Sequence, residues 1–254
     1  MSVHIETSGA GSGLVLIHGW GMHGGVWQPV VDALARDHRL HVVDLPGFGR
    51  SPALAASTLE AWVDVLSAAL PTRVSVCGWS LGGQVALRWA LARPDQVERL
   101  VLVSSTPRFV NTQDWRHGMD ATVFLQFAAQ VQRDYHGTLS RFLALQAQGG
   151  EEGREVLRQL RTQFFRLPAP APEALQAGLD ILLQTDLRAE LAALAVPTLV
   201  LHGGRDQLVP PAAGRWLAET LPRARAEICA TASHAPFLSH PEWFTACLGG
   251  FLDA

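Results

Sequence analysis

Short apolar runs alternate with helix-length stretches through the first hundred residues. Residues 14–17 (LVLI), 40–43 (LHVV), 74–77 (VSVC) and 100–103 (LVLV) each end in glycine, aspartate, serine or a turn. Such near-continuous runs fit strands covered on both faces in a mainly parallel sheet. Residues 58–69 and 81–92 read as helices between them, and right-handed crossovers place such helices on the two faces of the sheet. The pattern then changes. Residues 123–135, 139–148, 151–165 and 172–184 are successive helix candidates, with a proline-rich breaker, LPAPAP, at 167–172. Strand-like runs return at 198–201 and 226–230, and a helical tail covers 243–252. The pattern predicts an α/β fold: a mainly parallel central sheet flanked by helices, with core segments 1–110 and 187–254. Residues 111–186 form an inserted helical cap, placed to cover a site at the carboxyl ends of the strands.

Composition narrows the function classes. Of the 254 residues, 48% are hydrophobic and 17% charged, which suits a compact globule. A net charge of -3 gives no general basis for nucleic-acid binding. The apolar runs are too short to span a membrane, and the first residues do not read as a secretory signal. Three cysteines suggest no disulfide framework, so a reduced, cytoplasmic compartment is expected. The chain is expected to act as a monomer.

The candidate chemistry centres on Gly78-Trp79-Ser80-Leu81-Gly82, a G-x-S-x-G pattern between VSVC and a helical run. A sharp turn there forces the serine into an unfavourable backbone region and exposes its Oγ, while the next helix offers N–H groups to developing negative charge. The competing reading makes Ser80 an ordinary helix N-cap. Downstream, Asp206 follows LVLHGGR at the end of a strand, and His234 lies in a loop after 226–230. The order Ser80, Asp206, His234 is that of a nucleophile, an orienting acid and a base in this strand–turn–helix context. Asp206 could instead cap a helix near Pro210, His202 and His240 are rival histidines, and Asp186 is a rival acid. The backbone N–H groups of Trp20 and Leu81 are the candidate oxyanion donors, with His18 holding the loop. His18, His202, His234 and His240 lack a compact ligand spacing, so no metal is expected.

HGWGMHGGVW, DLPGFGRS, GWSLGG, HGGRD and SHAPFLSHP resemble the α/β-hydrolase superfamily. The combination of HGWG, VDLPGFGRS, GWSLGG, RFLALQ and HAPF resembles, within it, the family of pimeloyl-[acyl-carrier protein] methyl ester esterases of biotin synthesis. That resemblance implies an α/β-hydrolase fold and a serine esterase without cofactor, with Ser80 as nucleophile, Asp206 as acid and His234 as base. It implies Trp20 and Leu81 at the oxyanion hole, and Trp79 and Phe142 beside them at the substrate. It further implies that Arg141, Arg154, Arg158 and Arg161 meet an acidic acyl-carrier protein, although Gly137 stands where the family carries a basic residue. The alternatives are a broad-specificity short-chain carboxylesterase, a carbon–carbon bond hydrolase with the same triad, or a noncatalytic binding protein. Dehalogenase chemistry would require aspartate at Ser80. Seven aromatic residues, Trp79, Phe109, Phe124, Phe127, Phe142, Phe164 and Phe165, are candidates for lining an aliphatic slot or for packing helices.

Overall fold

The computed structural model describes residues 2–146, 150–164, 166–167 and 169–254; the side chains of 135, 136, 142, 143, 145, 146, 150–152 and 164 lie outside the description. Seven strands form one sheet in the order β1-β3-β2-β4-β5-β6-β7. They are β1 (Ile5–Ser8), β2 (Ser12–Ile17), β3 (His38–Val43), β4 (Val74–Trp79), β5 (Val97–Val103), β6 (Thr198–Gly203) and β7 (Ala224–Cys229). All neighbouring pairs are parallel except β1 with β3, where Ile5 faces Val43 across an antiparallel ladder.

The central strands β4 and β6 are buried at every position, which accounts for their lack of polar alternation. Helices α1 (Gln28–Leu34), α2 (Leu59–Ala69), α3 (Leu81–Ala92), α8 (Pro211–Thr220), α9 (Pro236–Ser239) and α10 (Pro241–Leu252) belong to the sheet layers. Helix α3 lies deepest, because Gly82 removes the side chain that would collide with β2. A Cβ there would sit 2.5 Å from the Ile17 and His18 carbonyl oxygens. Aromatic packing closes the far side: Trp27 meets Phe237 at 4.3 Å between ring centroids, and Phe237 meets Trp79 edge-on at 5.1 Å.

Between the adjacent strands β5 and β6 the chain leaves the sheet and forms α4 (Ala121–Arg133), α5 (Tyr135–Gln146), α6 (Gly150–Phe164) and α7 (Pro172–Gln184). Asp120 starts α4 by accepting the Thr122 and Val123 N–H groups. Neighbouring helices pack in sequence, α4 on α5 and α5 on α6, and α6 also meets α9 and the 3-10 turn Gly24–Trp27. Helix α7 of this insertion meets the segments that follow β2 and β4: the Trp20 indole N–H donates to Leu175 O, and a Cβ on Gly178 would lie 3.3 Å from Leu81 Cδ2.

Candidate active site

The turn between β4 and α3 holds Ser80 at φ 55° and ψ -117°. A non-glycine residue there carries about 1–3 kcal/mol of backbone strain. Surrounding bonds hold it in place: Ser80 N–H donates to Val103 O at 2.9 Å, and Ser105 Oγ donates to Ser80 O at 2.7 Å. The residue is therefore far from an ordinary N-cap; its side chain makes no capping bond to α3.

Asp206 lies in the loop after β6, buried, with its carboxylate divided between two tasks. Oδ1 accepts the Leu208 and Val209 N–H groups at 2.9 and 3.0 Å. Oδ2 lies 2.8 Å from His234 Nδ1. Oδ1 thus holds the turn before α8 and caps no helix, since α8 follows Pro210 with no side-chain capping bond, while Oδ2 is the oxygen turned to His234. Burial acts most strongly on Asp206 and opposes its charge, but the attraction and hydrogen bonds of His234 and His202 outweigh it. Together they hold the carboxyl well below the usual carboxylate range. His234 is itself buried, and its carbonyl accepts the Trp79 indole N–H at 2.9 Å.

Two of the rival residues, Asp186 and His240, are occupied elsewhere. Asp186 pairs with Arg108 and Arg188 at 2.6 and 2.7 Å. His240 lies against Thr231 and Ser239. His18 bridges two loops: it lies 2.8 Å from Gly19 O through Nδ1 and accepts the Leu45 N–H through Nε2 at 2.9 Å. Burial pushes its imidazolium down to about 4 despite the nearby Asp44. It is neutral at pH 7, with its proton on Nδ1, as this pair of bonds requires.

Ser80 and His234 share one apolar cavity with Trp20, Phe109, Met119, Val123, Phe124, Phe127, Leu182 and Leu208. Phe109, Phe124 and Phe127 were candidates from their aromatic character. Met119, Val123, Leu182 and Leu208 were not, and only Leu208, two positions after Asp206, had any sequence signal. Val123 is 53% exposed and marks the mouth. Trp79 does not line this cavity. It stands behind His234, with ring centroids 5.6 Å apart, and its indole braces that residue instead. Phe142 lies on α5, but its side chain, like that of Phe164 and all of Phe165, lies outside the described residues.

The two candidate oxyanion donors sit on facing elements. Leu81 opens α3, where the first N–H groups have no carbonyl within the helix. Trp20 follows β2, and the insertion grips its indole: Nε1–H donates to Leu175 O on α7 at 3.0 Å, and Phe127 of α4 meets the ring edge-on at 5.4 Å. Gly178 makes room for this contact, since a Cβ there would lie 2.6 Å from Trp20 Cδ1. Gly178→Ala is expected to lower kcat about a hundredfold, because displacing a catalytic element by about 1 Å has that effect. Steady-state kinetics on a small ester, with thermal melting alongside, checks it; a folded variant with unchanged kcat would show that α7 does not position this loop.

The four arginines fall on two packed helices. Arg141 on α5 lies 3.1 Å from Thr138 Oγ1 and 3.8 Å from Asp134. Arg154, Arg158 and Arg161 are exposed on α6 with spacings that share one helical face. Arg158 forms two bonds to Glu155, at 2.8 and 2.6 Å, so its charge is partly answered within the helix. Among the described residues no group of His, Cys, Asp and Glu could hold a metal ion, and no helix is long and apolar enough to cross a membrane.

Comparison with known proteins places this geometry in a family. Residues 14–241 match the model of the alpha/beta hydrolase fold. The pimeloyl-[acyl-carrier protein] methyl ester esterase of Nitrosomonas europaea is 50% identical over 246 residues, covering 97% of this chain and 98% of that one. The esterase of the same name from Aeromonas hydrophila is 44% identical over 255 residues, covering 99% and 100%. Among solved structures, a bromoperoxidase from Bacillus anthracis superposes with a TM-score of 0.93 at 25% identity, covering 99% of this chain and 95% of that one. Backbone likeness thus extends to a protein named for other chemistry, whereas near-complete sequence matches share one name. The chain belongs to the α/β-hydrolase fold family and, within it, to the pimeloyl-[acyl-carrier protein] methyl ester esterases.

Proposed function

We propose that Ser80, Asp206 and His234 hydrolyse the methyl ester of pimeloyl-[acyl-carrier protein] to methanol and the free carboxylate. The observation that carries this reading is the joint one: a strained serine and an Asp206-held histidine on the wall of a single apolar cavity. His234 takes the Ser80 proton as Oγ attacks the ester carbonyl. The oxyanion is held by the Trp20 and Leu81 amides, each worth about 3 kcal/mol in comparable chemistry. Collapse expels methanol, which receives the proton from His234. Water, deprotonated by the same imidazole, then cleaves the acyl-enzyme and leaves the carboxylate product. No cofactor enters these steps.

The apolar cavity suits a methylene chain carrying an ester at its far end. In this reading, residues 111–186 act as a cap, Phe142 contributes to the acyl pocket, and the exposed arginines of α5 and α6 receive the acidic carrier. Three free cysteines, Cys77, Cys229 and Cys247, fit a reducing, cytoplasmic setting.

The test compares the carrier-linked methyl ester with a small free methyl ester. The carrier-linked ester is expected to be preferred; equal turnover of both would favour a broad-specificity carboxylesterase. Arg154→Glu combined with Arg161→Glu should lower kcat/KM for the carrier-linked ester about tenfold at low salt, and less at high salt. The free ester should be unaffected. Equal losses on both would point to a damaged helix, and no loss would remove these residues from the docking surface.

A further inference from the structure

His202, near the end of β6, is fully buried and approaches the same carboxylate oxygen of Asp206 that meets His234. Its Nε2 lies 2.9 Å from the Val209 carbonyl and 3.4 Å from Asp206 Oδ2. Both neighbours are acceptors, so Nε2 carries the proton. Nδ1 is then a bare lone pair, and it has no hydrogen-bond partner among the described residues. Helix α8 presses on it: a Cβ on Gly214 would lie 2.7 Å from Nδ1. Across the sheet its ladder partner is Ile228 of β7. The ionisable groups that bear on Asp206 are thus His234, from the loop after β7, and His202, from β6. A buried imidazole with an unsatisfied nitrogen is costly to keep, and a purely packing role would be served by an apolar side chain.

We propose that His202 is a positioning residue of the triad, sharing Asp206 Oδ2 with His234 and setting how strongly that oxygen holds the base. The bond to Val209 O ties the loop that carries Asp206 back to β6. The weaker contact to Oδ2 takes part of the carboxylate's charge away from His234. This rests on the triad reading above. It adds that the carboxylate is balanced between two imidazoles and not dedicated to one.

The experiment replaces the donor and then restores it. His202→Phe keeps a flat ring but removes the N–H; His202→Gln returns an N–H near the position of Nε2. With the donor gone, more of the Oδ2 charge falls on His234 and favours its protonated form. The acid limb of the kcat/KM profile should move up by about half a pH unit. Turnover on the plateau should fall about tenfold as the Asp206 loop loosens. His202→Gln should return the limb close to its original position. A lower melting temperature or rate with an unmoved limb would reduce His202 to packing and overturn the proposal, as would a downward shift. If His202→Phe does not fold, selective 15N-histidine labelling of the unaltered enzyme decides: the proposal requires the Nε2–H tautomer, and the Nδ1–H tautomer overturns it. Asp206→Asn separates the two levels of argument. If it abolishes turnover while His202→Phe leaves the limb in place, only the present inference fails; if it leaves turnover intact, the triad reading fails with it.

Discussion

Ser80→Ala is expected to lower kcat on any ester by about a million-fold, the loss seen when a serine nucleophile is removed from a comparable triad. The residual activity would come from the cavity and the oxyanion amides acting on direct attack by water. Two features make Ser80 a strong test position. The residue sits at φ 55°, so the turn keeps its strain whichever non-glycine residue occupies it. Its backbone is tied to Val103 and Ser105 by bonds that do not involve Oγ, so alanine leaves the frame intact. Single-turnover and steady-state assays, with a melting curve to show the fold retained, measure the effect. Activity within tenfold of the parent would remove Ser80 from the chemistry. Ser80→Gly carries a second expectation: glycine relieves the positive φ, and that variant should be about 1 kcal/mol more stable than Ser80→Ala while equally inactive.

The sheet could be read from the chain wherever strands are covered on both faces. Residues 74–77 and 198–201 are apolar because helices lie above and below them, and the structure extends these strands only to Trp79 and Gly203. Strand β1 escaped notice for the opposite reason: its residues are mostly exposed, and its pairing with β3 is a long-range event that leaves no local pattern. Helix α1 buries only Val30 and Leu34 in seven residues, too few for a helical period to register. Strand β7 begins two residues before the expected run, because as an edge strand it alternates partly buried and exposed positions, with only Cys229 buried. The elbow was legible because glycine, serine and the flanking strand and helix are contiguous. The cavity wall was not: Met119, Val123 and Leu182 come together with Ser80 only through the packing of the insertion. Trp79 illustrates the same limit, since its position beside the nucleophile suggested substrate contact whereas its indole points to the His234 carbonyl. The second imidazole on Asp206 was visible only as a rival histidine, four residues before the acid.

Asp206→Asn is expected to lower kcat about ten-thousandfold without disturbing the fold, for a reason specific to how the carboxylate is used here. Oδ1 accepts two backbone N–H groups, from Leu208 and Val209. An asparagine must keep its carbonyl oxygen at that position, because its NH2 group there would face two donors. The amide nitrogen is then forced into the place of Oδ2, opposite His234 Nδ1 at the 2.8 Å contact and opposite His202 Nε2. A donor facing His234 Nδ1 favours the tautomer with its proton on Nε2, the form that cannot accept a proton from Ser80. The change also removes the negative charge that stabilises the imidazolium as it forms. The sign of the pH effect follows from the lowered pKa of Asp206: although burial opposes its ionisation, the two histidines keep it charged well below the usual carboxylate range. Its contribution to stability is therefore present above the unfolded-state pKa of about 4 and is lost as pH falls below that value. Over the working range Asp206 does not titrate, so the acid limb of kcat/KM in the parent enzyme belongs to the base. In Asp206→Asn the plateau should collapse at neutral pH, while the melting temperature at pH 7 falls by no more than a few degrees. Near-normal turnover in a folded Asp206→Asn variant would require that a different group orient His234.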